Sequence, residues 1–532
     1  MTIAFLLLAL PAGLRAEAFN PGKLDKGLDD PDQVYPIFVR FASQLLPGAN
    51  DYESFCRTHR NRSRSELRQW VIADLHRRSD QVWNTIGPEI EAMQQAGGVQ
   101  DLLRYWIVNG FACRASGKAC RSLAASEHVG FVYRQRLKNV PLHQNNAGAR
   151  VADQRLKKVY QSLIDRWGNV ANQPFSSEGY NVAWNLKLIK ADRAWDEHGA
   201  TGKGVVVAIC DSGLMVAPAL TSALWKNPKE QLNGKDDDDN GYTDDIFGYD
   251  FTRNSWHALG DQALMPHGSM CAGIIAGRPL NKKRLITGIA PRAQLMVLRG
   301  MGHLKSYEYA MENGADILSM SYMRPGLSLG NYRGLYRLAH EHLAAGGIVA
   351  VGGAGNFGSG AGHRAQPKGK QIALPKDIPC VIAAAGILKD GSQPPMGSEG
   401  PCYWTGVKFY DDYPPDKPLA KPDVTGYFGG YPVWGRLAVL AKHPQRKWEM
   451  ITDEGHGIGL IIGPQGNSFA GPHAAGVAAL MLSVNPQLHP WQVKQLMEQT
   501  CRDIGPRGRD GRFGAGLLDA AAAVRAAKNA AR

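Results

Sequence analysis

A serine among glycines, in GPQGNSFAGPHAAGVAA (Gly463 to Ala479), opens an alanine-rich segment with the composition of a tightly packed helix. Read alone, Ser468 is either a nucleophile or the cap of that helix. A serine hydroxyl attacks a carbonyl only if an imidazole takes its proton, and a carboxylate must fix the tautomer of that imidazole and stabilise its charged form. Two other stretches supply those residue types. Asp211 follows the apolar run VVVAIC and precedes Ser212 and Gly213, where an isolated aspartate is equally well explained as a turn or capping residue. His267 heads HGSMCAGIIAG, whose small residues permit close packing of a helix. Together the three offer a nucleophile, a base and an orienting carboxylate. Pro472 is read as lying in the first turn of its helix, where a missing N–H is harmless.

The chain order Asp211, His267, Ser468 is that of subtilisin and differs from the chymotrypsin and α/β-hydrolase orders, and GNSFA lacks the second glycine of G-x-S-x-G. From about Tyr180 to the C-terminus the sequence resembles the subtilisin-like serine peptidases, or subtilases. GKGVVVAICDSG resembles their D-[ST]-G box, HGSMCAG their H-G-T-x-x-A-G box, and GNSFAGPHAAGVAAL their G-T-S-x-A-x-P box. GGAGN, ending at Asn356, resembles the segment whose asparagine donates to the oxyanion together with the nucleophile's own N–H. The resemblance implies a secreted serine endopeptidase made as a zymogen, with catalytic Asp211, His267 and Ser468. It also implies substrate added as a β-strand along Ser321, Tyr322 and Met323, with Gly353, Ala354 and Gly355 as further substrate-binding positions. The same triad would serve an esterase or peptide ligase, and a catalytically silent fold used for binding is the reading from another class.

Several positions depart from the family pattern. Ser269 replaces threonine, Met270 replaces a frequent second histidine, and Asn467 replaces the threonine before the nucleophile. Cys271, one turn after His267, is read as a buried core thiol. In SMSYMRPG, Met323 stands where glycine is usual, which would crowd a pocket wall and restrict the residue next to the scissile bond to small or apolar types.

Residues meant to meet across such distances in sequence need a scaffold. From Thr201 onward, Val/Ile-rich runs alternate with helical segments, which predicts strands buried on both faces, crossover helices and hence an α/β doubly wound parallel sheet over 180–532. In such sheets function gathers at the carboxyl ends of the strands. Before it, a strand in Val34 to Leu46, a helix from Arg64, a strand in LLRYWIVNGFACRA, a short helix in KACRSLAASE and a strand in HVGFVYRQRL predict a small α+β domain over 19–137. That unit resembles a ferredoxin-like subtilase propeptide, which would act as an intramolecular inhibitor. Residues 138–179 are polar, bracket one helix and read as an exposed connector holding the processing site.

The chain of 532 residues suits two or more domains at roughly 100–200 residues each. Its charge of +13 is spread out rather than blocked, which argues against nucleic acid as a partner. Residues 1–18 read as a signal peptide lacking a basic start, so the expectation is a secreted or periplasmic monomer with no membrane partner. Eight cysteines in an exported protein permit disulfides, with Cys113–Cys120 and Cys380–Cys402 the near pairs. In NGKDDDDNGYTDDIFGYDF, Asp236, Asp238 and Asn240 match the opening of a calcium loop, although Phe247 stands at position twelve where an EF-hand has glutamate. A structural calcium ion is expected there, because clustered carboxylates need a cation to relieve their repulsion.

Overall fold

The structure is a computed structural model of the chain and describes residues 20–135, 154–166, 175–259, 266–278, 285–358, 371–437, 449–453 and 457–530. Residues 1–18, expected to be a signal peptide, and most of the 138–179 connector lie outside these residues.

The N-terminal unit runs β1 (Val34–Phe41), α1 (Asp51–His59), α2 (Arg64–Gln95), β2 (Val99–Tyr105), β3 (Gly110–Ser116), α3 (Gly117–Ala125) and β4 (Val129–Arg134). The sheet order is β2-β3-β1-β4, with antiparallel pairing throughout, which is the ferredoxin-like arrangement. The segment expected to be one strand, LLRYWIVNGFACRA, is instead a hairpin. Asn109 takes a positive φ of 36° and closes a turn onto the Trp106 carbonyl, so Asn109-Gly110 is a turn signal embedded in apolar sequence. Ser63 starts α2 with a capping box to Glu66.

Strand alternation explains how this unit is held. Ile37, Val39, Phe41, Phe111 and Cys113 pack under its own helices. Phe38, Tyr105, Ala112, Phe131 and Tyr133, on the opposite face, join a cluster with Tyr332, Leu335 and Tyr336 of the second unit.

After the connector helix α4 (Gln154–Arg166), the second unit begins its chemistry with β5 (Val206–Asp211) and continues through β6 (Gly248–Asp250), α5 (His267–Ala276), β7 (Gln294–Arg299), α6 (Leu304–Glu312), β8 (Ile317–Ser319), α7 (Tyr332–Ala345), β9 (Val349–Gly353), β10 (Ile382–Ile387), β11 (Val424–Tyr427) and α8 (Asn467–Val484). The seven strands form one sheet in the order β11-β10-β9-β8-β5-β7-β6, and every pairing is parallel. The expected doubly wound α/β architecture is therefore present. A three-stranded antiparallel sheet (Val433–Arg436, Glu449–Asp453, Ile458–Ile462) leads into α8.

Two sequence expectations change. The connector helix, Gln154–Arg166, is docked rather than exposed: Tyr160 is fully buried, donates its hydroxyl to the Trp256 carbonyl and accepts from the Leu259 N–H. All eight cysteines are free thiols, so neither proposed pair is formed. Cys113 and Cys120 pack as small apolar groups in one core, while Cys380 and Cys402 belong to different clusters.

Candidate active site

Asp211 is the last residue of β5, at the carboxyl edge of the sheet. His267 is the first of α5, and the helix approaches the β5 end so closely that a Cβ on Gly268 would lie 2.3 Å from the Gly213 carbonyl oxygen. Glycine after the histidine is thus a condition of bringing the imidazole to the carboxylate. His267 Nδ1 lies 2.8 and 3.0 Å from the two Asp211 carboxylate oxygens. The Ser212 N–H donates to Asp211 Oδ1 at 2.7 Å, and Ser212 Oγ accepts from the Gly268 N–H at 3.0 Å, so strand end and helix head are tied twice. Ser269 takes up the role open to the usual threonine hydroxyl, accepting from the Met215 N–H at 2.7 Å.

Burial pulls the His267 imidazole towards its neutral form, but the Asp211 carboxylate, with Cys271 beside it, outweighs burial and holds its pKa well above the usual 6.5. Cys271 is a buried thiol, pushed up by that burial, as the sequence suggested.

Ser468 is the second residue of α8, partly exposed. Its hydroxyl donates to the Ser321 carbonyl at 3.0 Å, and Ser321 Oγ donates back to the Ser468 carbonyl at 2.7 Å. Pro472 lies at the sixth position of the helix rather than in its first turn. Its missing N–H would have served the Ser468 carbonyl, which is bound instead by Ser321 Oγ and, at 3.5 Å, by the Cys271 thiol.

Asn356 follows β9 and its side chain is held by one atom: Oδ1 accepts from the Asn467 N–H at 2.9 Å. That leaves the Nδ2 donor, which lies beside Gly466 at the start of α8. Asn467 itself is buried and donates through Nδ2 to the Gly355 carbonyl. A Cβ on Gly353 would meet the Asn467 carbonyl at 1.9 Å, so glycine allows β9 and α8 to cross in contact. The main-chain groups of Ala354 are spent on Ala384 and Ala373, and the Gly355 carbonyl on the Ser398 N–H as well as on Asn467. These residues form wall rather than free hydrogen-bonding edge.

On the other side, Ser321 faces Ser468. Tyr322 turns its ring inward, its hydroxyl meeting that of Tyr307, and is not a pocket-lining side chain. Met323 is half-buried, with its sulfur accepting from the Asn356 N–H at 3.4 Å. Sequence reasoning missed Lys376, which is fully buried and donates to the Tyr322 carbonyl. A lysine inside the apolar run IALPKDIPCVIAAAG was the available signal.

In the acidic loop, ligand atoms of Glu230, Asp236 and Asp238 lie within 4.8 Å of one another. Glu230 was missed because it precedes the acidic run. Asn240, in the same loop, accepts through Oδ1 from the Tyr242 N–H and donates through Nδ2 to Asp245. Glu230 Oε2 and Asp238 Oδ1 are buried without a hydrogen-bond partner. Burial, with the Asp245 and Asp238 charges, raises Glu230 to about 7. Two orphaned carboxylate oxygens facing a third carboxylate fit a hard divalent cation.

The family model described as the subtilase family matches residues 202–516. Among curated proteins the chain is 25% identical to subtilisin-like protease 1 of Plasmodium falciparum over 349 residues, covering 61% of this chain and 44% of that protein. It is 27% identical over 288 residues to the calcium-dependent protease of Trichormus variabilis, covering 48% of this chain and 39% of that protein. With subtilisin DY of Bacillus licheniformis it is 24% identical over 352 residues, covering 64% of this chain and 98% of that protein. The chain thus spans less than half the length of the first two relatives and nearly all of the third. The match runs through the Asp211, His267, Asn356 and Ser468 segments just described, and the chain belongs to the subtilase family.

Proposed function

We propose that the protein is an exported serine endopeptidase made as a zymogen, and the observation that carries this is the Asp211–His267 pair, 2.8 Å apart, at the strand end facing the α8 head that bears Ser468. In the reaction, the Ser468 hydroxyl leaves the Ser321 carbonyl and turns to His267 Nε2, which takes its proton as Oγ bonds to the substrate carbonyl carbon. Asp211 holds the proton on Nδ1 and stabilises the imidazolium. The Asn356 Nδ2–H and the Ser468 N–H meet the charge that develops on the carbonyl oxygen, a donor worth about 2.7–4 kcal/mol of barrier. His267 then gives its proton to the leaving amine, and water repeats the sequence on the acyl-enzyme.

Substrate runs along Ser321–Met323 against the Gly353–Gly355 wall. Met323, whose sulfur rests on the Asn356 N–H, narrows that space and favours small or apolar residues beside the scissile bond. Cleavage of a peptide library with no such restriction rejects this part of the reading.

The ferredoxin-like unit over 19–137 is the propeptide, and the processing site lies in the 138–179 connector. Glu230, Asp236 and Asp238 would hold calcium, a reading supported by their orphaned oxygens and by the name of the Trichormus relative. Such an ion supplies charge neutralisation and loop rigidity, not a step of the reaction.

A binding-only subtilase fold is the competing reading, favoured by the resting bond of Ser468 to Ser321. Wild-type protein and Ser468→Ala decide between them. A fluorophosphonate should label wild type at Ser468 alone, and N-terminal sequencing should find wild type cleaved within 138–179 and the variant intact. Unlabelled, uncleaved wild type overturns the peptidase.

A further inference from the structure

Lys376 stands out among buried charges because of what it touches. It has no solvent exposure, yet it lies two residues after Leu374, whose main chain pairs with Arg324 at the end of the segment Ser321–Arg324. Its N–H donates to the Ala373 carbonyl at 2.8 Å, fixing the start of the side chain in a turn. The aliphatic stem then passes Gly352 of β9 so closely that a Cβ there would lie 2.7 Å from Lys376 Cδ. At its far end Nζ donates to the Tyr322 carbonyl and lies 5.1 Å from the centre of the Tyr322 ring. One side chain thus spans from the strand that leads to Asn356 to the segment that would receive substrate.

The direction of the Tyr322 carbonyl matters. In extended chain, successive carbonyls point to opposite sides. The Ser321 carbonyl faces Ser468. The Tyr322 carbonyl faces the interior and meets Lys376. Holding the inward carbonyl therefore sets the direction of the outward groups on either side of it. The segment is anchored at both ends by backbone bonds, Met320 N–H to the Val351 carbonyl at 2.8 Å and Arg324 N–H to the Leu374 carbonyl at 3.2 Å. Between them Lys376 holds the main chain from below, while the Tyr322 side chain is held by Tyr307.

Burying an ammonium group carries a large desolvation cost, which an apolar side chain of the same length would avoid. The cost shows in the pKa, which burial lowers to about 7 against the opposing pull of Asp377. Arg324 and Cys210 are the other charged or titratable groups acting on it. Packing alone does not account for a lysine here; a donor aimed at Tyr322 does.

We propose that Lys376 is a positioning residue that fixes the Ser321–Met323 segment for extended polypeptide, so that the enzyme's advantage is greatest for substrates long enough to lie along that segment. This rests on the peptidase reading above. The lysine touches no reacting atom; it acts through the Tyr322 carbonyl.

The test compares full-chain wild type with Lys376→Met, which keeps the stem and loses the donor. Rates are taken per Ser468 labelled by fluorophosphonate, so poorly folded protein does not count. Turnover of p-nitrophenyl acetate should be the same within about twofold, while kcat/KM for a hexapeptide should fall by at least about tenfold, carried by KM, as expected for one lost hydrogen bond to a charged donor. A second measurement does not depend on catalysis. In full-chain Ser468→Ala, adding Lys376→Met should speed amide exchange in residues 320–324 at least about tenfold and leave β5 and β10 unchanged. Equal loss on ester and peptide, an unchanged hexapeptide rate, or unchanged exchange in 320–324 each overturns the role of Lys376. Absence of wild-type labelling and ester turnover sinks the peptidase reading, and the exchange measurement then still decides whether Lys376 holds the segment.

Discussion

His267 sits between opposed influences: burial favours its neutral form and the Asp211 carboxylate favours the cation, with the carboxylate prevailing. Only neutral imidazole can accept the Ser468 proton. With the pKa raised, the acid limb of a kcat/KM profile should lie above the ordinary 6.5, activity being lost as pH falls through it. Asp211→Asn should shift that limb downward and lower kcat by about 10⁴-fold, because the tautomer is no longer enforced. A limb that stays in place in the variant would show that Asp211 does not set it. The same pair stabilises the fold fully below pH 6.5, where His267 would be charged in the unfolded chain too, and the contribution fades as pH rises through the folded value.

Among the elements, the acidic loop is where pH and metal should be coupled. Glu230 is raised to about 7 and Asp245 to about 6, both chiefly by burial. A carboxyl raised on folding contributes stability that is complete below its unfolded pKa and lost as pH rises through the folded one, so the cation-free loop weakens between about pH 4.5 and 7. Chelator should therefore lower Tm more at pH 8 than at pH 5, and Glu230→Gln should shrink the chelator effect at pH 8. Equal Tm with and without chelator at pH 8 would remove calcium from the account.

The elements also show what a sequence reveals and conceals. Strands buried on both faces are legible because their apolar runs need no alternation, and β5 and β9 were found that way. The Asp211, His267, Asn356 and Ser468 segments are legible through their residue types, their chain order and their likeness to the subtilase boxes, and the structure shows why glycines stand in them, since backbone crosses backbone at Gly268 and Gly353. The β2–β3 hairpin was hidden because Asn109-Gly110 interrupts an apolar run without a polar loop around it. Glu230 and Lys376 were hidden for another reason. Their partners are far away in sequence, and only folding reveals that Glu230 turns towards Asp238 or that Lys376 reaches Tyr322.

Across the whole molecule, the two units meet through polar anchors set in an aromatic interface. The Ile107 N–H donates to Glu308 on α6 at 3.0 Å, and Arg64 pairs with Asp316 at 2.9 Å. His342 on α7 is buried between the Leu46 N–H, at 3.2 Å from Nε2, and the Ile107 carbonyl, at 2.5 Å from Nδ1. Nε2 must be unprotonated to accept from Leu46. Burial lowers this imidazole to about 4, against 6.5 when it is freed, so docking of the N-terminal unit weakens as pH falls from about 6.5 towards 4. After cleavage in the connector, the two parts should co-elute at pH 8 and separate more readily at pH 5, and His342→Gln should flatten that difference. Co-elution at both pH values would rule out His342 as the sensor.

Pro472 makes the bonding of Ser468 depend on distant parts of the chain. A helix normally meets its own carbonyls from its own amides, so it can form early and locally. At Ser468 this self-sufficiency is broken, and the donors come from Ser321, 147 residues away, and Cys271, 197 residues away. Contacts of such sequence separation form late because their loop-closure cost must be met first. The turn that carries Ser468 therefore acquires its native bonding only when β8, α5 and α8 have assembled, so the hydroxyl is placed last, by completion of the fold.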